Sequence, residues 1–144
     1  SQMMKKWMPL LCLVSLLALS ACGSREDADK KLARGCEAAV KSMLAKDTED
    51  RQVEAIKGKS FAPSGENREV TLQATTKNKE FGYEAEESFE CVFEESYSPG
   101  FTAWKASLLQ LRIGETVYGS EGGEIFGTME DQMSLTAAVE SAMR

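Results

Sequence analysis

The sequence predicts an α+β domain: an N-terminal helix packed on an antiparallel sheet of about four strands, with a short C-terminal helix and one disulfide. Three observations carry this expectation. Leu32, Cys36, Val40, Met43 and Leu44 recur at helical spacing and make one apolar face. Residues 70–76 and 83–93 alternate with period two, the mark of half-buried strands. Cys36 and Cys91 lie on the apolar faces of the helical pattern and the second strand pattern, so two independent periodicities aim both sulfurs at one core.

Ahead of this domain stand Lys5 and Lys6, an apolar run from Trp7 to Leu19, and the stretch Leu19-Ser20-Ala21-Cys22. The chain then turns polar at once, through Gly23, Ser24, Arg25, Glu26 and Asp27. Ser1 and Gln2 precede the first methionine and read as a cloning remnant, with initiation at Met3 or Met4. The apolar run is about 13 residues, short of the roughly 20 that a membrane-crossing helix needs. It fits the middle of an export signal with a basic start. Leu19 in a branched aliphatic position, Ser20 and Ala21 in small positions and Cys22 after them resemble the signal of a bacterial lipoprotein, the class cleaved by signal peptidase II. Cys12, preceded by two leucines, does not fit that pattern.

The resemblance implies cleavage between Ala21 and Cys22 and a diacylglycerol on the Cys22 thiol, with palmitate among the acyl chains. Several chains anchor stably because each buried methylene contributes about 0.8 kcal/mol. Gly23 follows the modified cysteine where an Asp would favour the inner membrane. In a Gram-negative cell this implies the outer membrane, facing the periplasm; elsewhere it implies the cell membrane. The likeness covers residues 1–23 and carries no function to the rest of the chain.

Removing the first 21 of 144 residues leaves 123, which suits one domain. Residues 22–28 read as the lipidated cysteine and a polar tether, and 29–144 as a single globular α+β unit. Loss of Lys5 and Lys6 takes the basic count from 17 to 15 against 23 acids, a formal charge of −8. So acidic a surface has no electrostatic case for nucleic acid or anionic lipid heads. Membrane attachment therefore falls to the lipid on Cys22. Cys36 and Cys91 are the remaining cysteines, and an oxidising compartment favours their pairing. A redox pair or metal site is the weaker alternative, since the chain has no C-x-x-C spacing and no histidine.

Along the chain, Asp27 or Asp29 can cap the first helix, with Lys41 and Lys46 towards its end. Residues 51–61 suit either a helical turn ended by Gly58 or an irregular edge strand, and the strand is preferred. Pro63 to Asn67 turns the chain. In the strand over 83–93, Tyr83, Ala85, Phe89, Cys91 and Phe93 share one parity, broken by Glu87; Glu84, Glu86, Glu90 and Glu94 share the other. Ser98-Pro99-Gly100 is a turn. From Phe101 to Ile113 a fourth strand carries two conflicting apolar parities, which a bulge near Leu108 would reconcile. The glycine-rich stretch from Gly114 to Gly127 reads as a mobile connection with one short strand. Thr128 with Asp131 resembles a cap, and Met129, Met133, Ala137 and Val139 suit a terminal helix.

Candidate function follows from these elements. Glu84, Glu86, Glu90 and Glu94, with Trp104 and Tyr118, are candidate partner-binding residues; Phe126 joins the aromatic set. The acids also fit the wet face of an antiparallel sheet, which is polar at alternate residues. Calcium needs oxygens converging on a turn, whereas same-face strand residues stand about 7 Å apart. The glycine stretch matches neither dinucleotide nor phosphate-loop spacing. Without histidine there is no Ser-His or Cys-His pair, and paired carboxylates leave only a hydrolase as the catalytic alternative. The sequence names no catalytic, cofactor or metal residue. It reads as a non-enzymatic envelope lipoprotein with an unknown envelope protein partner. The runner-up is a periplasmic binding module or inhibitor using the acidic face.

Overall fold

A computed structural model describes residues 25–97 and 103–144. The chain divides into two units at residue 30, and each is described by itself. Of the first, residues 25–30 are described and are helical; Arg25 and Asp29, four positions apart, pair at 2.9 Å. The helix, α1, continues to residue 44. Residues 25–28 are therefore helix and not tether, and Asp27 and Asp29 lie inside α1, where Asp29 serves an ion pair instead of a cap.

Six strands follow: β1 (Arg51–Ser64), β2 (Asn67–Asn78), β3 (Glu84–Tyr97), β4 (Trp104–Ile113), β5 (Thr116–Glu121) and β6 (Glu124–Phe126). The terminal helix is α2 (Met129–Met143). The sheet is an antiparallel meander in which each strand lies beside its sequence neighbours. This is the α+β class read from the sequence, with two further strands. Both come from the glycine-rich stretch, which is a pair of tight hairpins and not a mobile connection. Gly114 turns β4 into β5, and Gly122 and Gly123 turn β5 into β6, all at positive φ that glycine adopts without steric cost.

The ambiguous segment is the edge strand β1. Its register against β2 slips between Val53 and Ala55 and again between Ile56 and Gly58. Two bulges spoil the helical and the strand periodicity alike, so neither period runs cleanly through residues 51–61. They also twist an otherwise long open edge, a recognised guard against edge-to-edge pairing.

The core forms where α1 lies on the sheet. Leu32, Cys36, Val40 and Met43 of α1 pack with Leu72 of β2, Phe89 and Phe93 of β3, and Leu111 of β4. Cys36 and Cys91 are joined, their Cα atoms 5.8 Å apart, and neither exposes any surface. The expected disulfide is present, and it clips the helix to the middle of the sheet. At the helix end, Lys79 Nζ donates to the Leu44 carbonyl at 2.7 Å, which the helix itself leaves unsatisfied, and at 3.3 Å to the Lys46 carbonyl, which also accepts from the Glu49 N–H.

The parity conflict in β4 resolves as a bulge. Val92 faces Gln110 and Phe93 faces Leu108, so Leu109 is the extra residue. Trp104, Ala106 and Leu108 on one side of it and Leu111 and Ile113 on the other then serve the same core. The bulge constrains the next strand. A Cβ on Gly119, which sits at φ +96, would fall inside van der Waals contact of the Leu109 carbonyl oxygen and 3.2 Å from Gln110 Cα.

Thr128 and Asp131 make a full capping box at the start of α2. Of the apolar residues expected to seat this helix, Val139 is buried together with Leu135. Met129 and Met133 instead face outward, 81% and 68% exposed. The helix lies with its Leu135 side on β4 and β5, and that orientation leaves both methionines uncovered.

Candidate functional site

The four glutamates expected on one strand face are there. Glu84, Glu86, Glu90 and Glu94 stand on the side of β3 away from Phe89, Cys91 and Phe93. Their surroundings partly neutralise them. Glu84 is opposite Lys77, and Thr75 Oγ1 donates to Glu86 at 2.8 Å. Arg112 Nε lies 3.8 Å from Glu90, and Arg112 Nη2 lies 2.7 Å from Glu121. Lys105 is opposite Ser96, farther along the strand. Among the described residues no three Cys, Asp or Glu side chains converge to hold a metal ion.

Glu87, the exception in the strand's parity, points to the helix side at the margin of the core. Arg51 Nε donates to both its carboxylate oxygens, at 3.0 and 2.8 Å, and the buried Thr76 hydroxyl donates to it as well. Burial alone would raise its pKa. The hydrogen bonds from Arg51 and Thr76, with the Arg51 charge, outweigh burial and hold the carboxyl below its usual range. The same pair raises Arg51.

A second polar cluster joins the end of α1 to the start of α2. Lys46 donates to Asp131, and Asp131 Oδ2 accepts from the Thr128 backbone N–H at 3.1 Å. The bond from Lys46, followed by that from Thr128, lowers the Asp131 pKa; the bond to Asp131 raises Lys46. Lys46 Nζ also lies 5.6 Å from the Tyr118 ring centre. Burial, followed by the nearby Glu49 charge, pushes the Tyr118 phenol up.

The aromatic candidates separate by burial. Tyr118 belongs to the buried core. Trp104 is half-buried: its indole N–H donates to Glu95 at 2.8 Å, and Lys31 Nζ lies 5.7 Å from its ring centre. Phe126 is the exposed member of the three, beside Ile125 on β6. Phe81 and Tyr83, at the turn between β2 and β3, make another exposed aromatic pair with ring centres 5.9 Å apart.

The sheet and α2 leave a cleft of about 270 Å³, lined by Leu108 and Leu109 of β4, Tyr118 of β5, Ile125 of β6, and Leu135 and Val139 of α2. Leu109, the bulged residue of β4, is part of its wall. A shallower groove on the outer face of α2 shares Gln132, Thr136 and Glu140 with the cleft and adds Met129, Met133 and Ala137. Reasoning from the sequence missed this surface. The available signal was Ile125-Phe126 followed by Met129 and Met133 at i, i+4, with acids between them.

Cys22 and the turn at 98–100 lie outside the described residues. Among those that are described, no helix is long and apolar enough to cross a membrane. No protein-family model, curated protein or solved structure matches the chain.

Proposed function

We propose that this chain is an exported lipoprotein, held at the cell envelope by lipid on Cys22 and acting there through protein contacts, without catalysis. The observation that carries the reading is Leu19-Ser20-Ala21-Cys22 behind a basic start and an apolar run. The Cys36–Cys91 bond supports it, because such bonds persist in oxidising compartments. The uncovered apolar side chains of β6 and α2 support the contact role, since a patch of this kind on a folded surface marks a binding face. With Gly23 after the modified cysteine, the outer membrane of a Gram-negative cell is the proposed site.

Mass spectrometry of the chain purified from envelopes tests this. The expected product begins at Cys22 and carries diacylglycerol, and Cys22→Ser stays uncleaved and unacylated. A native chain whose Cys22 is free of lipid refutes the anchoring.

A further inference from the structure

We infer that the basic end of the domain, around Trp104, rests on the anionic phospholipid face of the membrane that carries the chain's own anchor, and so sets which way the domain faces. The inference rests on the Cys22 anchoring proposed above and adds the surface that meets the bilayer.

Charge argues for an anionic surface. The whole chain carries −6, yet Lys31 of α1, Lys105 of β4 and Arg144 after α2 line one depression with Trp104 and Met143, and Glu140 is the acid in its wall. All three cations are exposed, and none is in an ion pair among the described residues. By contrast Lys46, Arg51 and Arg112 each face a carboxylate. Arg34 adds a fourth positive charge close by, its Nε donating to the Ala142 carbonyl at 3.1 Å. The acidic sheet face repels anionic lipid, and this end attracts it. Net charge averages the two.

Side-chain type argues for a bilayer over a soluble anion. Trp104 is half-buried, with its indole N–H on Glu95 and Lys31 Nζ 5.7 Å from its ring centre. Tyr97, its partner across β3 and β4, is 49% exposed. Tryptophan and tyrosine gather at membrane–water interfaces. Lysine and arginine there lay their stems along apolar surface and send the charge to the headgroups. The depression is shallow and open, which suits a plane of headgroups and gives a small anion little enclosure.

Connectivity argues for this membrane. The second unit begins at Lys31, itself a wall of the depression, and 31 − 22 = 9 positions separate it from Cys22. Nine residues reach at most about 30 Å. Lipid on Cys22 therefore holds the depression at high local concentration beside the headgroups. Leu44, 44 − 31 = 13 positions on, lies about 20 Å farther along α1 and holds the β2–β3 turn through Lys79. The domain thus has a lipid-side end and a far end, and the Phe81–Tyr83 pair stands at the far one.

The test uses the full acylated protein in vesicles. With the signal and its Trp7 removed, Trp104 is the one tryptophan and reports on its own surroundings. Its quenching by headgroup-spin-labelled lipid is measured in phosphatidylcholine vesicles with and without phosphatidylglycerol. Quenching should be strong only with phosphatidylglycerol, and molar salt should remove it. Each basic residue near an anionic surface favours it about fivefold, so Lys31→Gln/Lys105→Gln should lower the ratio of facing to averted domains roughly 25-fold. Lys57→Gln/Lys59→Gln on β1 makes the same change in net charge and should leave quenching intact. Circular dichroism checks that each variant is folded. Equal quenching in the two kinds of vesicle overturns the inference, and so does equal loss in the two double variants. So does a Trp104 emission that responds to inorganic phosphate or polyglutamate and not to phosphatidylglycerol. Mass spectrometry of the same vesicles separates the two claims: an unacylated Cys22 overturns both, and an acylated chain without lipid-dependent quenching overturns the orientation alone.

Discussion

Gly119→Ala tests whether the β4 bulge dictates the residue on the neighbouring strand. An alanine there must adopt φ near +96, which costs an L-residue on the order of 1–2 kcal/mol. Its methyl also collides with the Leu109 carbonyl oxygen and presses on the Leu109 carbon at 3.1 Å. These are backbone atoms, unable to swing aside, so overpacking adds roughly 1–3 kcal/mol. The sum is about 3 kcal/mol, a large part of the 5–15 kcal/mol that holds a typical domain. Gly114→Ala is the internal control. Its φ is +60 and its Cβ would meet nothing within 4 Å, so only the conformational cost applies. Equilibrium urea unfolding, followed by the fluorescence of Trp104 in the bulged strand, measures both variants. With a slope of about 1–3 kcal/mol per molar urea, Gly119→Ala should lower the midpoint by roughly 1–3 M, and Gly114→Ala by about half as much. Equal shifts would refute the reasoning, because they would show that the Leu109 carbonyl does not occupy the side-chain space at Gly119.

Three further outcomes are expected. Cys36→Ala/Cys91→Ala opens a loop spanning 55 positions and should lose about 4 kcal/mol in the same assay, from chain entropy alone. Because the folded-state pKa of Asp131 is depressed, its stabilisation is complete above its unfolded value and disappears as pH falls through the folded one. Unfolding midpoints should therefore drop below about pH 4, and Asp131→Asn should show a shallower drop there together with a lower midpoint at pH 7. Glu87→Gln removes the half-buried carboxylate from Arg51, which keeps Glu49 and Asp50 as partners, and should cost about 1 kcal/mol at pH 7, whereas Glu94→Gln on the open face should stay within about 0.5 kcal/mol.

What the sequence made legible follows from how strictly each segment obeys one period. β2 and β3 alternate cleanly where one face of each packs on the core, from Val70 to Ala74 and from Phe89 to Phe93, and the exception in parity, Glu87, marks a polar contact with Arg51 and Thr76 at the core margin. The conflict in β4 was visible as a conflict, and its resolution needed only one extra residue at Leu109. β5 and β6 were obscured by their brevity and by turn glycines that break any periodicity. The orientation of α2 was not legible because both Met129 with Met133 and Leu135 with Val139 make apolar pairs at helical spacing. Contact with β4 and β5 covers Leu135 and Val139, and that contact is tertiary. The acidic face was plain from parity, whereas the groove on α2 depended on that orientation and was missed for the same reason.

The sulfurs of Cys36 and Cys91 are sealed once α1 has settled on the sheet. Any oxidant must therefore reach them while the chain is still open, after β3 has emerged and before the interior closes over. Maturation thus has an order: joining first, burial second. A chain that buries its thiols before they meet has no route to the finished product except to come apart and begin again.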